Sequence, residues 1–179
     1  MTCVIPAKSD SSRLPGKNFK KIHGHSLVEI AIAQANETGF RPLVVGDAGW
    51  KAIKEWPVGD YEYLERKPEW SDPEKSSLWV AAQAVIGRGT DILLLQPTSP
   101  ARSNEDIERC VKTAGIYGRN VTSVDKDSME PNGAVYVRLI GEKLEDRGIL
   151  IMMPKERGID IDTETDLDYA RAMMKARKR

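Results

Sequence analysis

Two cysteines, two phenylalanines and two histidines are all that the 179 residues hold of those types. Cys3 and Cys110 stand far apart with no Cys-x-x-Cys, so neither a disulfide framework nor a zinc site can be built from them. Each sits in an apolar stretch and reads as a small core residue. His23 and His25, in KKIHGHS, lack the company that a metal site needs and read as loop residues. No apolar run approaches the ~18 residues of a membrane span, and the N-terminus has no charged-then-apolar leader. The expectation is a cytoplasmic protein with no membrane partner. Charge of one sign is missing too. Lys and Arg together number 27, as do Asp and Glu, so the formal net charge is zero. That excludes a broad basic surface for nucleic acid, and the basic tail KARKR reads as a solvated helix end. There is no repeat, low-complexity tract or linker, and residues 1–179 read as a single domain large enough for its own core.

What is present is an alternation of strands and helices. Met1–Ala7 reads as a short buried strand, PLVVG (42–46) and DILLLQP (91–97) as further apolar strands, and YEYL, NVTSV, GAVYVRL and ILIMM complete the set. Helices are predicted at SLVEIAIAQANETG, with a Ser26/Glu29 capping box and Gly39 as its stop, and at EKSSLWVAAQAVIG, ending at Gly87. SNEDIERCVKTAG follows with Ser103 as cap and Asp106 three residues on, and TETDLDYARAMMKARKR closes the chain with Thr163 and Asp166 in the same relation. The spacing suits βαβ units. The fold class is therefore α/β, three layers around a mainly parallel sheet. Ligands in such sheets sit at the carboxyl ends of the strands. This brings four places to one crevice: the loop after the first strand, QPTSP, the start of NGAVYV, and IDID. The polar DKDSMEPN (125–132) reads as a minor or mobile element.

The first loop, KSDSSRLPGKN, carries Lys8, Arg13 and Lys17 with Ser9, Ser11 and Ser12 among them. It is not a Walker A loop, because Ser11 and Asn18 stand where that motif needs Gly and Ser or Thr. It is not a dinucleotide fingerprint either, having one glycine. Exposed backbone N–H groups and point-charge lysines suit an anion such as phosphate. Composition alone leaves this open against a plain solvated loop. IDID alternates strictly, so in an extended segment Asp160 and Asp162 share one face about 7 Å apart. Two such carboxylates can grip a hard cation; the plain alternative is an edge strand before a capped helix. Gln96 ends a buried strand, where an amide needs a partner. Asn132-Gly133 is equally a turn signal, Thr98 and Ser99 suit a cap, and Tyr136 suits core or site.

Together these segments resemble the CMP-sialic acid synthetases, the N-acylneuraminate cytidylyltransferases. IPAKSDSSRLPGKN is similar to their I-P-A-R-x-x-S-K-x-x-P-x-K-N at Ile5, Pro6, Ala7, Ser11, Pro15, Lys17 and Asn18. ERKPEWSDPEKSS, LLLQPTSPAR, NGAVYV and GIDIDTETDL follow in the family order. The resemblance implies a Rossmann-like nucleotidyltransferase fold of the nucleotide-diphospho-sugar transferase type. It implies CTP and a sugar acid as substrates and Mg²⁺ as cofactor, with pyrophosphate as the leaving group. By the same resemblance Ala7, Lys8, Ser11, Ser12, Arg13, Lys17 and Asn18 hold the nucleotide with Arg66 and Ser77. Lys67 competes with Arg66 for its place. Gln96 and Asn132 bind the sugar, Asp160 and Asp162 bind metal, and Lys17 and Asp162 are the catalytic pair. The chain departs from the pattern where Lys8 replaces an Arg and where Ser11-Ser12 replaces a Ser-Lys pair, with the cation moved to Arg13. The segment between VVGD and YEYL reads as trimmed. A long stretch that supports the family's dimer and reads the sugar is cut to DKDSMEP, so a monomer or weak homodimer is expected. Two other readings remain: a nucleotidyltransferase of this fold with another sugar or nucleotide, and an inactive nucleotide-binding regulator or assembly partner.

Overall fold

Thr2–Ala7 forms β1, whose side chains alternate between the two faces of a sheet. The computed structural model describes residues 1–47, 59–72 and 74–177. The stretch after Asp47 that reads as trimmed falls largely outside the described residues, as do the last two residues of the KARKR tail. Strands β2 (Lys21–Ile22) and β3 (His25–Ser26) make a small antiparallel hairpin. Strands β4 (Leu43–Gly46), β5 (Glu62–Glu65), β6 (Ile92–Leu94), β7 (Val121–Asp125), β8 (Pro131–Arg138) and β9 (Ile149–Met153) join β1 in one sheet of order β5-β4-β1-β6-β8-β7-β9. β1 pairs in parallel with β4 and β6, β4 with β5, and β7 with β9, while β8 runs antiparallel between β6 and β7. The sheet is therefore mainly parallel, as the sequence predicts.

Helices cover both faces. On one, Val28, Ile32 and Ala35 of α1 (Leu27–Glu37) and Ile107, Cys110 and Ala114 of α3 (Asn104–Tyr117) pack on Cys3, Ile5, Val44 and Leu93. On the other, Val80, Ala81 and Ala84 of α2 (Ser77–Ala84) pack on Val4, Leu43, Val45 and Leu94. Both cysteines are thus core residues, and burial pushes each thiol up to about 12. A third cluster ties α4 (Glu164–Arg177) to the first loop and the hairpin through Leu14, Ile22, Ile161 and Leu167. The Ser26/Glu29 and Ser103/Asp106 capping boxes are both formed.

Three elements differ from their sequence readings. α2 spans only Ser77–Ala84, because Val85 already leaves helical geometry ahead of Gly87 and Gly89, both with positive φ. IDID joins no strand; it is held by the Ile161 amide donating to the Thr98 carbonyl at 2.8 Å. Asn132-Gly133 is no turn. It lies inside β8, where Gly133 at φ 76° accompanies a shift of register against β7.

Candidate active site

The carboxyl ends of β1, β5 and β6 open into a cavity of about 440 Å³. From the first loop come Lys8, Ser11, Ser12, Arg13, Lys17 and Asn18; from the far wall, Arg66 and Ser77; from the floor, Gln96, Asp160 and Asp162. Of the residues singled out in the sequence, Ala7 ends β1 fully buried, outside the lining, and Asn132 lines an adjoining cavity of about 280 Å³ that shares Asp160 with the first. His23 and His25 line neither: they flank the hairpin turn, with the His23 ring nitrogen 3.1 Å from the Arg171 carbonyl.

The loop is shaped by buried anchors rather than left to solvent. Leu14 is buried against α4, the Asn18 amide donates to the Lys8 carbonyl at 2.8 Å, and the Ser9 amide donates to Asp47 at 2.8 Å. Lys17 begins a 3₁₀ turn (Lys17–Phe19) and donates to Asp162 Oδ1 at 2.8 Å, with Arg13 pairing the other oxygen of the same carboxylate. Lys8 reaches across the mouth to the Ser71 carbonyl at 3.2 Å. Arg66 and Lys67, which compete for one role in the sequence, are placed differently. Arg66 faces the cavity and donates to the Trp70 carbonyl, whereas Lys67 lies over the Trp70 ring, 5.6 Å from its centroid.

Asp160 differs from its neighbour. It faces the cavity with an open surface, yet the surrounding walls exclude enough water to push its carboxyl above the usual range. The Asp162 charge adds to the shift, while the Thr98 hydroxyl, Lys17 and Arg13 oppose it. Asp162 is answered by two cations, while Asp160 has one neutral hydroxyl. Such a carboxylate, with a second one beside it and room for phosphate oxygens in front, fits Mg²⁺, which binds through one or two carboxylates plus substrate phosphates and water.

Two residues that the sequence reading left outside the site shape it. Thr98 holds Asp160 with its hydroxyl and Ile161 with its carbonyl. Arg102 is fully buried, and burial pulls its guanidinium down to about 10. Its Nη1 donates to the carbonyls of Gln96 (2.8 Å) and Ala134 (2.9 Å), joining the floor of the first cavity to the strand that carries Asn132. The signal was in the quoted LLLQPTSPAR block, whose last residue is a charge next to an apolar run.

The sheet order and the crevice at its carboxyl edge define the class: the nucleotide-diphospho-sugar transferase fold. The CMP:2-keto-3-deoxy-manno-octonic acid synthetase complexed with CTP superposes with a TM-score of 0.68 at 15% identity, over 98% of each chain. Rv0371C from Mycobacterium tuberculosis H37Rv, in complex with manganese, gives 0.64 at 17% identity over 93% of this chain and 95% of its own. At these identities the likeness is one of fold. Residues 2–45, which hold β1, the first loop and α1, match the family model described as Cytidylyltransferase. Over 137 residues the chain is 30% identical to CMP-N,N'-diacetyllegionaminic acid synthase of Legionella pneumophila, covering 72% of this chain and 59% of that protein. The chain thus spans less than two thirds of this relative's length. These likenesses bear out the resemblance to the CMP-sialic acid synthetases. Among the described residues no helix is long and apolar enough to cross a membrane.

Proposed function

We propose that the chain is a cytidylyltransferase that activates a sugar acid with CTP, releasing pyrophosphate and a CMP-sugar. The observation that supports this best is convergence: three cations of the first loop, the Asp160/Asp162 pair and Arg66 meet in one cavity at the edge of the parallel sheet. In the reaction the acceptor's anomeric oxygen attacks the α-phosphorus, and the bond to the β-phosphate breaks. Such a transfer asks mainly for positioning and charge stabilisation. Lys17, Arg13 and Lys8 hold the triphosphate and take up charge on the departing pyrophosphate, with Ser11, Ser12 and Asn18 as donors. Arg66 and Ser77 face the cytidine end. Gln96 and Asn132 face the acceptor. Asp160 and Asp162 would hold Mg²⁺, which supplies Lewis-acid stabilisation of the phosphates. A metal held there would share the Asp162 carboxylate that Lys17 and Arg13 now pair.

The reading extends to the whole molecule as one domain over residues 1–179, a monomer or weak dimer in the cytoplasm. The test is pyrophosphate release from CTP with Mg²⁺ across eight- and nine-carbon sugar acids. Release with one of them is expected; absence of release with all, in a folded protein that binds CTP, favours the inactive nucleotide-binding reading.

A further inference from the structure

Asp47 lies outside the blocks of the family pattern and does not line the nucleotide cavity, yet topology puts it at a joint of the site. β4 lies between β5 and β1 in the sheet, and Gly46 stands level with Ala7 on one side and Glu65 on the other. The residue after β4 therefore sits between Lys8, which follows β1, and Arg66, which follows β5. From the β5 side the end of β4 is held firmly. The Arg66 amide donates to the Gly46 carbonyl at 2.6 Å, and the Tyr63 hydroxyl lies 3.0 Å from the carbonyls of both Gly46 and Asp47.

Toward β1, Asp47 Oδ2 accepts from the Ser9 amide at 2.8 Å, while the Asn18 side chain donates to the Lys8 carbonyl at 2.8 Å. That carbonyl and that amide are the two polar groups of one peptide unit. Because the unit is planar, gripping both fixes the direction in which the chain leaves β1 and carries Lys8 and the serines after it. The acid that does this is held at a cost. Its Oδ1 is buried with no hydrogen-bond partner among the described residues, and a buried acceptor without a donor is unfavourable. Its charge also stands behind a loop whose three cations suit an anion. Departures of this kind gather at functional sites. The charge has an answer in Arg66, whose guanidinium burial pulls below its usual value and Asp47 supports in the opposite sense.

We propose that Asp47 is a positioning residue of the nucleotide site: by holding the Lys8–Ser9 peptide, it sets the first loop in the shape that receives the phosphates. Affinity then comes from a loop formed in advance rather than ordered on binding. This inference rests on the phosphate role that the proposed function gives the loop, and not on which base or sugar is used.

The experiment titrates inorganic tripolyphosphate and CTP, ATP and GTP, each with Mg²⁺, into the full chain and into its Asp47→Ala and Asp47→Asn variants by calorimetry. Asp47 is half-buried at a strand end, so both variants should fold. Charge repulsion alone predicts that removing an acid beside a polyanion site tightens binding. Positioning predicts the reverse. Asp47→Ala should bind tripolyphosphate and CTP about tenfold more weakly, as expected for loss of a charged hydrogen bond, and should raise KM for CTP. Asp47→Asn keeps an oxygen for the Ser9 amide and should recover most of the tripolyphosphate affinity. A second measurement needs no variant: in the free wild type the Ser9 amide should exchange with solvent at least about tenfold more slowly than an unstructured serine amide. Unaltered or tighter tripolyphosphate binding by Asp47→Ala, an Asp47→Asn as weak as Asp47→Ala, or a Ser9 amide exchanging at the unstructured rate would overturn the proposal. If tripolyphosphate binding weakens as expected while the wild type holds ATP or GTP as well as CTP, the cytidylyltransferase reading falls and Asp47 keeps its role. A wild type that binds neither tripolyphosphate nor any nucleotide overturns both.

Discussion

Lys17 and Asp160 are held in the crevice in opposite ways. Lys17 is 13% exposed and tied to Asp162, so it is more deeply built in than a polar loop residue suggests. Lys17→Ala should still fold, losing about 1 kcal/mol with its ion pair, but turnover should fall by about 10²–10³, the cost of one catalytic donor. Normal pyrophosphate release from the folded variant would count against its phosphate role. Of the two aspartates, Asp160 carries the burden. Its carboxyl is raised chiefly by burial, so the folded protein carries that charge at a cost near neutral pH. Asp160→Asn should raise the melting temperature without nucleotide and lose the Mg²⁺-dependent part of CTP binding. Asp162→Asn should instead lower stability, since Arg13 and Lys17 lose their partner. Calorimetry of the two variants with and without Mg²⁺–CTP distinguishes the roles.

At the scale of elements, the loop from β8 to β9 is tightly specified. Gly148 has φ 62°, and a Cβ there would stand 1.9 Å from the Asn120 carbonyl oxygen, so Gly148→Ala should destabilise by more than ~2 kcal/mol. Asp146 closes the same loop. Its carboxyl is held below the usual range, first by the Gly148 amide that it accepts and then by Arg119. A carboxyl depressed in the folded state lends stability above its unfolded value and loses it as pH falls through the folded one. The gap in melting temperature between wild type and Asp146→Asn should therefore close on acidification below the ordinary carboxylate range; a gap independent of pH would contradict this. Arg102→Met should cost about 3 kcal/mol, because two interior carbonyls lose their donor. Much of this level was legible in the sequence. Capping boxes announce α1 and α3, and apolar runs announce β1, β4 and β6, since local rules decide them. The hairpin of β2 and β3 was not, because two-residue strands have no periodicity to read. Nor was the antiparallel place of β8, which depends on long-range pairing.

For the whole molecule, the crevice follows from topology: parallel strands ending together bring residues 8, 66, 96 and 160 to one cavity despite their separation in the chain. The blocks of the family pattern identify these residues in the sequence, but not their partners, because ion pairs such as Lys17–Asp162 span 145 positions. The division into two cavities and the role of Arg102 were likewise beyond it. With DKDSMEP folded into a short turn held by Asp125, little surface remains there for a standard interface of ~800 Å² per partner. Light scattering at micromolar concentration should give a monomer or weak dimer. The nucleotide that the first cavity holds decides the proposed function most directly. Melting curves with CTP, UTP, ATP and GTP, each with Mg²⁺, should show CTP alone giving a large stabilisation, about 2.7 kcal/mol at a hundredfold excess over Kd. Equal stabilisation by ATP or GTP would contradict it.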